Sequence, residues 1–193
     1  WLHEIKFDGY RMFCRMDGGH ATFISRTGQD WTSRLGALAT FAEKIIAQNA
    51  ILDGELVVLD SEGVSQFQLL QNALGDNRTS QLVYYAFDLI YWNGIDLQGV
   101  ALETRKTLLQ ELLSATPKIS ARIRYSEHLE GSGDDFYRQA CRAQLEGIIS
   151  KRRDRPYRRG RSQEWLKSKC RQGQDLVIGG YTRPTGSRIG FGA

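Results

Sequence analysis

The chain has 193 residues, of which 41% are apolar and 25% charged, with a formal net charge of +4. Those values describe an ordinary globular composition with enough chain for one sizeable core. No run of about 18 apolar residues offers a transmembrane helix, and the opening Trp1-Leu2-His3-Glu4 lacks the basic and apolar regions of a signal peptide. The three cysteines, Cys14, Cys141 and Cys170, are far apart and odd in number, which predicts reduced thiols in a cytosolic protein. Isolated His3, His20 and His128, with no Cys-x-x-Cys pair, give zinc no site, so any metal would be held by oxygens.

The first predicted element is a strand over 2–7, within the octapeptide Glu4-Ile5-Lys6-Phe7-Asp8-Gly9-Tyr10-Arg11. Strand alternation places Glu4, Lys6 and Asp8 on one face with Ile5 and Phe7 beneath. Asp8-Gly9 predicts a hairpin turn into a second strand over 10–16, and Asp17-Gly18-Gly19 a turn into a third over 20–25. Ser33 is placed to cap a helix running to about Gln48, whose stripe is Leu35, Leu38, Phe41, Ala42, Ile45 and Ile46. The next strand, 51–59, turns Asp53 and Glu55 to one side and Leu52, Leu56 and Val58 to the other. Two carboxylates on an otherwise apolar strand are costly to bury unless paired or bound to metal.

A short helix over 65–74 precedes an aromatic-rich strand over 82–91, in which Tyr85, Phe87 and Leu89 share a face. Helical leucine spacing marks 102–113, and 134–145 follows a Gly-Ser-Gly turn. Late strands are expected over 147–150, 164–169 and 175–181; alternation puts Lys167 and Lys169 on one face and Glu146 and Lys151 on opposite faces. This order fits neither a βαβ repeat nor a helical bundle, and predicts an α+β domain with antiparallel sheets flanked by helices. Charge is uneven: residues 1–150 hold 14 Lys/Arg against 19 Asp/Glu, whereas 151–171 hold 10 against two. That arginine-rich segment predicts contact with polyphosphate or nucleic acid. Both ends of the chain read as cuts within something longer.

Six elements recur in a fixed order: Glu4-x-Lys6-x-Asp8-Gly9-x-Arg11, Ser25-Arg26-Thr27-Gly28, Asp53-Gly54-Glu55, Tyr85 to Leu89 with Gly94, Glu146 to Lys151, and Arg161 with Trp165 to Lys169. Together they resemble the adenylation motifs of the covalent nucleotidyltransferases, which comprise ATP-dependent DNA ligases, RNA ligases and mRNA capping enzymes. The ending, with Asp175 to Thr182 and Gly190-Phe191-Gly192, is most similar to the ligase domain of bacterial end-joining DNA ligases.

This resemblance implies an ATP-grasp-like nucleotidyltransferase domain over 1–171, then a linker and the first strand of a truncated OB-fold over 172–193. It implies that Lys6 accepts AMP from ATP, with Mg²⁺ or Mn²⁺ as metal. Glu4 is then expected to read the adenine amine and Phe87 to stack on the base, while Arg11, Glu55 and Arg161 fix ribose and phosphates. Arg26 would hold phosphate, including the 5′-phosphate of a nick. Lys167 and Lys169 would neutralise the α-phosphate, Lys151 would touch phosphate, and Glu55 and Glu146 would serve the metal. A nucleophilic lysine must be a neutral amine, a form favoured by nearby cations and desolvation. The implied partners are nicked or broken double-stranded DNA, flanking polymerase or nuclease domains and an end-binding protein, in the bacterial cytoplasm at the nucleoid. A chain without its complete OB-fold is expected to self-adenylate weakly and not to seal nicks unaided.

Overall fold

A computed structural model describes residues 1–116, 119–160 and 162–170, and within these the chain builds two facing sheets. The larger has six strands: β2 (Tyr10–Asp17), β3 (His20–Ser25), β4 (Asn49–Val57), β5 (Val83–Trp92), β6 (Ile95–Asp96) and β7 (Ile123–Tyr125). Their order is β3-β2-β4-β5-β6, with β7 running parallel beside β5. The smaller sheet is antiparallel, in the order β10-β9-β1-β8, from β1 (Leu2–Ile5), β8 (His128–Leu129), β9 (Gly147–Lys151) and β10 (Trp165–Lys169). Four α-helices accompany them among the described residues: α1 (Ala37–Ala42), α2 (Phe67–Gly75), α3 (Leu102–Ser114) and α4 (Gly133–Arg142). No helix among the described residues is long and apolar enough to cross a membrane.

The expected architecture of antiparallel sheets with a few helices is present, but β1 and β2 are not a hairpin. β1 pairs with β8 and β9, whereas β2 pairs with β3 and β4, so residues 6–9 pass from one sheet to the other. The Asp8 side chain explains the change: its carboxylate accepts the Phe67 N–H at 3.0 Å and so caps α2, while its own N–H donates to Ser65 Oγ at 3.0 Å. A side chain committed to a helix N-terminus draws the segment toward β4 and α2 instead of back along β1.

The core lies on one face of the six-stranded sheet, where Met12, Cys14, Phe23, Leu52, Leu56, Tyr84 and Leu89 meet Leu38, Leu70, Leu109 and Leu112 from the helices. The helix expected from Ser33 to Gln48 is reduced to Ala37–Ala42. Gly36 takes φ +53° ahead of it, which ends any continuous helical run from Ser33. The stripe it was to carry is still partly kept, since Leu35, Leu38, Ala42 and Ile45 are buried, but Ile46 is 67% exposed.

Cys141 and Cys170 form a disulfide, which corrects the expectation of three reduced thiols. The pair joins the end of α4 to the residue after β10 with Cα atoms 5.4 Å apart, a proximity that a sequence separation of 29 did not reveal. Cys14 is buried, and desolvation pushes its thiol up to about 12, which leaves it unreactive. Without reductant, a thiol reagent is expected to find no group in the native protein and one after denaturation; reduction should raise that to three. Three thiols without reductant would contradict the pairing.

Candidate active site

The second face of the six-stranded sheet looks toward the smaller sheet, and several of the expected site residues, Arg11, Glu55 and Phe87 from one and Lys167 and Lys169 from the other, lie on the sides that meet. On β2 and β4, Arg11 lies opposite Glu55, and the Arg11 guanidinium grips Asp53 as a fork, Nε to Oδ1 at 2.9 Å and Nη2 to Oδ2 at 2.5 Å. Burial works against the Arg11 charge, but the Asp53 fork outweighs it and raises the group further above its usual range. Gly54 is required between these carboxylates: a Cβ there would lie 2.4 Å from the Tyr84 ring, whose hydroxyl crosses beneath to Met12 O and Leu52 O at 2.9 and 3.2 Å.

Phe87 reaches the site through a β-bulge. Gly54 opposes Ala86 and Asp53 opposes Asp88, which leaves Phe87 without a partner on β4. A bulge re-aims side chains, so the expected common face of Tyr85, Phe87 and Leu89 is divided. Leu89 joins the core, whereas Phe87 faces Trp165 of β10 edge-on at 5.8 Å, with the Arg11 guanidinium carbon 5.6 Å from its ring centroid.

From the smaller sheet, register sets Trp165 against Lys151, Lys167 against Ile149 and Lys169 against Gly147. Directly opposed residues share a face, so Trp165, Lys167 and Lys169 project together, as alternation predicts. Lys6 lies just past β1. Its N–H donates to Gly147 O at 2.9 Å and its ammonium contacts Glu146 Oε2, while Lys169 Nζ holds Glu146 Oε1 at 3.0 Å. Glu146 thus sits between two ammoniums. Its neighbour Gly147 has φ +149°, and a Cβ there would fall 2.1 Å from Ser168 O; only glycine lets β9 and β10 close at this point.

Burial, then the charges of Lys6 and Arg11, lower the Lys167 ammonium below its usual range, whereas hydrogen bonding to Glu146 raises Lys169. Glu55 is pushed up to about 7 by burial, against the pull of Lys6 and Arg11. Because its folded value exceeds that of an unfolded carboxylate, the folded form binds the extra proton, and stability falls as pH rises from about 4.5 to about 7. Glu55→Gln is expected to remove a decline on the order of 2–3 kcal/mol across that window. Urea unfolding at stepped pH checks this; identical wild-type and variant slopes would contradict it.

Glu4 is buried at 1% exposure, with its oxygens held by Lys106 Nζ at 3.0 Å, Lys151 Nζ at 2.9 Å and Ser126 Oγ at 2.9 Å. Burial opposes its charge, but the Lys151 and Lys106 ammoniums hold it below the usual carboxylate range. Lys106 is itself lowered, first by burial and also by Lys151, against the attraction of Glu4. Lys151 sits 4.4 and 4.3 Å from the centroids of Phe87 and Trp165, so it is packed between rings and Glu4. Arg26 is exposed in the turn after β3, where Gly28 N–H donates to Ser25 O at 2.9 Å; its charge acts on Lys167. Arg161 and residues 171–193, including the expected OB-fold strand, lie outside the described residues.

Part of the arginine-rich segment is already neutralised. Arg152 and Arg155 pair with Asp154, Arg153 with Glu103 and Glu130, and Arg158 with Glu164. The motifs assign no part to Arg105, Lys106, Ser126 or Tyr157, although each contacts a motif residue. The signal present was Asp88, a carboxylate in a core strand that needs a partner; Arg105 supplies it from α3 with bonds of 2.7 and 2.8 Å.

Among the described residues no group of three His, Cys, Asp or Glu side chains gathers, so Glu146 and Glu55 are the carboxylates here that could face a divalent ion. This suits a hard cation that takes most of its ligands from water and triphosphate oxygens, as Mg²⁺ does.

A family model described as the ATP dependent DNA ligase domain matches residues 1–169. The chain belongs to the ATP-dependent DNA ligase domain family. It is 44% identical to the multifunctional non-homologous end joining protein LigD of Pseudomonas aeruginosa, over all of this chain and 23% of that protein. With the LigD DNA repair protein of Mycobacterium tuberculosis H37Rv it shares 38% identity over 97% of this chain and 24% of that one. The chain therefore spans about a quarter of the length of these curated relatives. Among solved structures, mycobacterial DNA ligase D complexed with ATP and MES superposes with TM-score 0.79 and 36% identity, over 95% of this chain and 58% of that one. The ligase domain of M. tuberculosis LigD gives 0.77 and 37%, over 88% and 54%. The two-sheet fold is thus that of a ligase domain.

Proposed function

We propose that this domain carries out the adenylation chemistry of DNA strand joining in end-joining repair. The observation that carries the reading is the Lys6–Glu146–Lys169 chain of ion pairs, with Lys6 near enough to Glu55 for its charge to act there and Glu55 opposite Arg11 beside Phe87. The Lys6 Nζ lone pair forms a bond to the α-phosphorus of ATP while the bond from that phosphorus to the bridging oxygen breaks and pyrophosphate leaves. Glu146, already accepting from Lys6, is the acceptor nearest to the departing proton. Lys167 and Lys169 offset charge on the phosphoryl oxygens. Phe87 stacks the base; Arg11 and Glu55 hold ribose and phosphates, and Arg161 belongs with them. Glu4 is assigned to the adenine amine, its carboxylate lying beside Lys106 and Lys151. Glu146 and Glu55 would hold Mg²⁺ or Mn²⁺, which when bound supplies charge neutralisation to the triphosphate.

AMP then passes from Lys6 to a DNA 5′-phosphate, held by Arg26, and a 3′-hydroxyl displaces it to seal nicked or broken duplex. In this reading the domain spans 1–171 and leads into an OB-fold at 172–193, and it works at DNA in the bacterial cytoplasm alongside polymerase or nuclease domains and an end-binding protein.

Incubation with α-labelled ATP or GTP tests the proposal. Covalent label is expected from ATP with a divalent cation. Label from GTP alone would identify a capping-type guanylyltransferase instead.

A further inference from the structure

Tyr157 belongs to none of the six elements, yet it closes a ring of hydrogen bonds inside the site. Its hydroxyl donates to Asp53 Oδ2 at 2.9 Å and accepts from Arg11 Nη2 at 3.2 Å. The hydroxyl proton and a lone pair are therefore both committed, and Arg11, Asp53 and Tyr157 restrain one another. The Asp53 fork and the Tyr157 hydroxyl occupy Nε and Nη2 of Arg11. The two Nη1 donors have no hydrogen-bond acceptor among the described residues, and the Arg11 side chain is 33% exposed. A guanidinium pinned along one edge presents the other in a fixed direction.

The tyrosine is itself fixed from three sides. Its N–H donates to Gln98 O at 2.8 Å, its ring meets Trp165 edge-on at 6.2 Å, and the buried Arg105 guanidinium carbon lies 5.8 Å from its centroid. Arg11 and Asp53 belong to the larger sheet, Trp165 to the smaller, and Arg105 to α3. Tyr157 therefore couples the spacing of the two sheets to the aim of Arg11.

We propose that Tyr157 is a positioning residue that, with Asp53, turns the Nη1 edge of Arg11 toward an anionic or ribose oxygen of the nucleotide in the cleft. The proposal rests on the adenylation reading. It assigns the hydroxyl, rather than the ring, to nucleotide affinity. Phenylalanine keeps the ring contacts with Trp165 and Arg105 and loses both hydrogen bonds.

The test measures lysyl-AMP formation against ATP concentration, and ATP affinity by calorimetry, for the 193-residue chain. Wild type is compared with Tyr157→Phe, Arg11→Ala, Arg11→Lys and the Tyr157→Phe/Arg11→Ala double variant. Tyr157→Phe is expected to raise KM and Kd for ATP about 3- to 10-fold, the worth of one or two hydrogen bonds, with kcat within about twofold. In the Arg11→Ala background the same change should have almost no effect, because the group it positions is gone. Arg11→Lys, which loses the fork and the Nη1 edge together, should raise KM at least as far as Tyr157→Phe, and an unchanged KM there would overturn the proposal even if Tyr157→Phe melts early. Unchanged KM and Kd in Tyr157→Phe, or an equal penalty with and without Arg11, would overturn the proposal. A wild type that binds ATP but forms no adduct would instead defeat the adenylation reading, leaving the Kd comparison to judge Tyr157.

Discussion

Lys6→Ala is expected to abolish covalent labelling by ATP, with adenylation falling more than about 1,000-fold, as when the nucleophile of a concerted site is removed. The loss should be one of chemistry and not of folding. Lys6 contacts Glu146 through a side chain 16% exposed, and Glu146 keeps Lys169 at 3.0 Å when Lys6 is gone. No carboxylate is left buried and alone. Stability by urea unfolding should therefore stay within about 1 kcal/mol of wild type. Arginine at this position would keep the positive charge but supply no neutral amine, so Lys6→Arg should be equally inactive. Label surviving in either variant would mean that another residue accepts the nucleotide.

The largest expected change in stability lies behind the site. Arg105 and Asp88 are both fully buried and joined by two hydrogen bonds, and Arg105 Nη1 also donates to Val100 O and Arg155 O. Arg105→Met is expected to cost about 3–5 kcal/mol, because it leaves the Asp88 carboxylate in the interior without its counterion. Asp88→Leu combined with Arg105→Met should recover much of that loss, since replacing both partners removes the orphaned charge. Denaturant midpoints measure both changes; a single variant within about 1 kcal/mol of wild type would contradict the account of this pair. Arg105 also lies against Tyr157, so the single variant should weaken ATP binding as well.

What the sequence made legible follows from local chemistry. β3 falls at 20–25 as expected, and α2, α3, α4 and β9 lie within a few residues of their predicted places, because turn glycines and leucine spacing are local signals. Lys167 and Lys169 share a face because β10 is regular. Where expectation and structure part, a long-range partner intervened. Asp8 spends its carboxylate on α2, which sends the chain from one sheet to the other and removes the hairpin. Phe87 reaches the cleft through a bulge set against Asp53 and Gly54, which simple alternation does not encode.

The site shows the same division. The family resemblance implied parts for Lys6, Glu55, Phe87, Glu146, Lys167 and Lys169, and the structure places Lys6 beside Glu146, Glu146 beside Lys169, and Phe87 beside Trp165 of the other sheet. The resemblance did not disclose that Glu4 would be enclosed by Lys106 and Lys151, since Lys106 reads as one charge among many on a surface helix. Nor did it single out Tyr157, whose role depends on a hydroxyl reaching 104 residues back to Asp53.

Lys6 is the residue proposed to take AMP from ATP. The direct measurement is the intact mass of the 193-residue chain after incubation with ATP and Mg²⁺, followed by peptide mapping of any adduct. One AMP per chain on the peptide containing Lys6 is the expected result, present even if only a fraction of molecules is modified. An unchanged mass, or an AMP that maps to any other residue, would contradict the account.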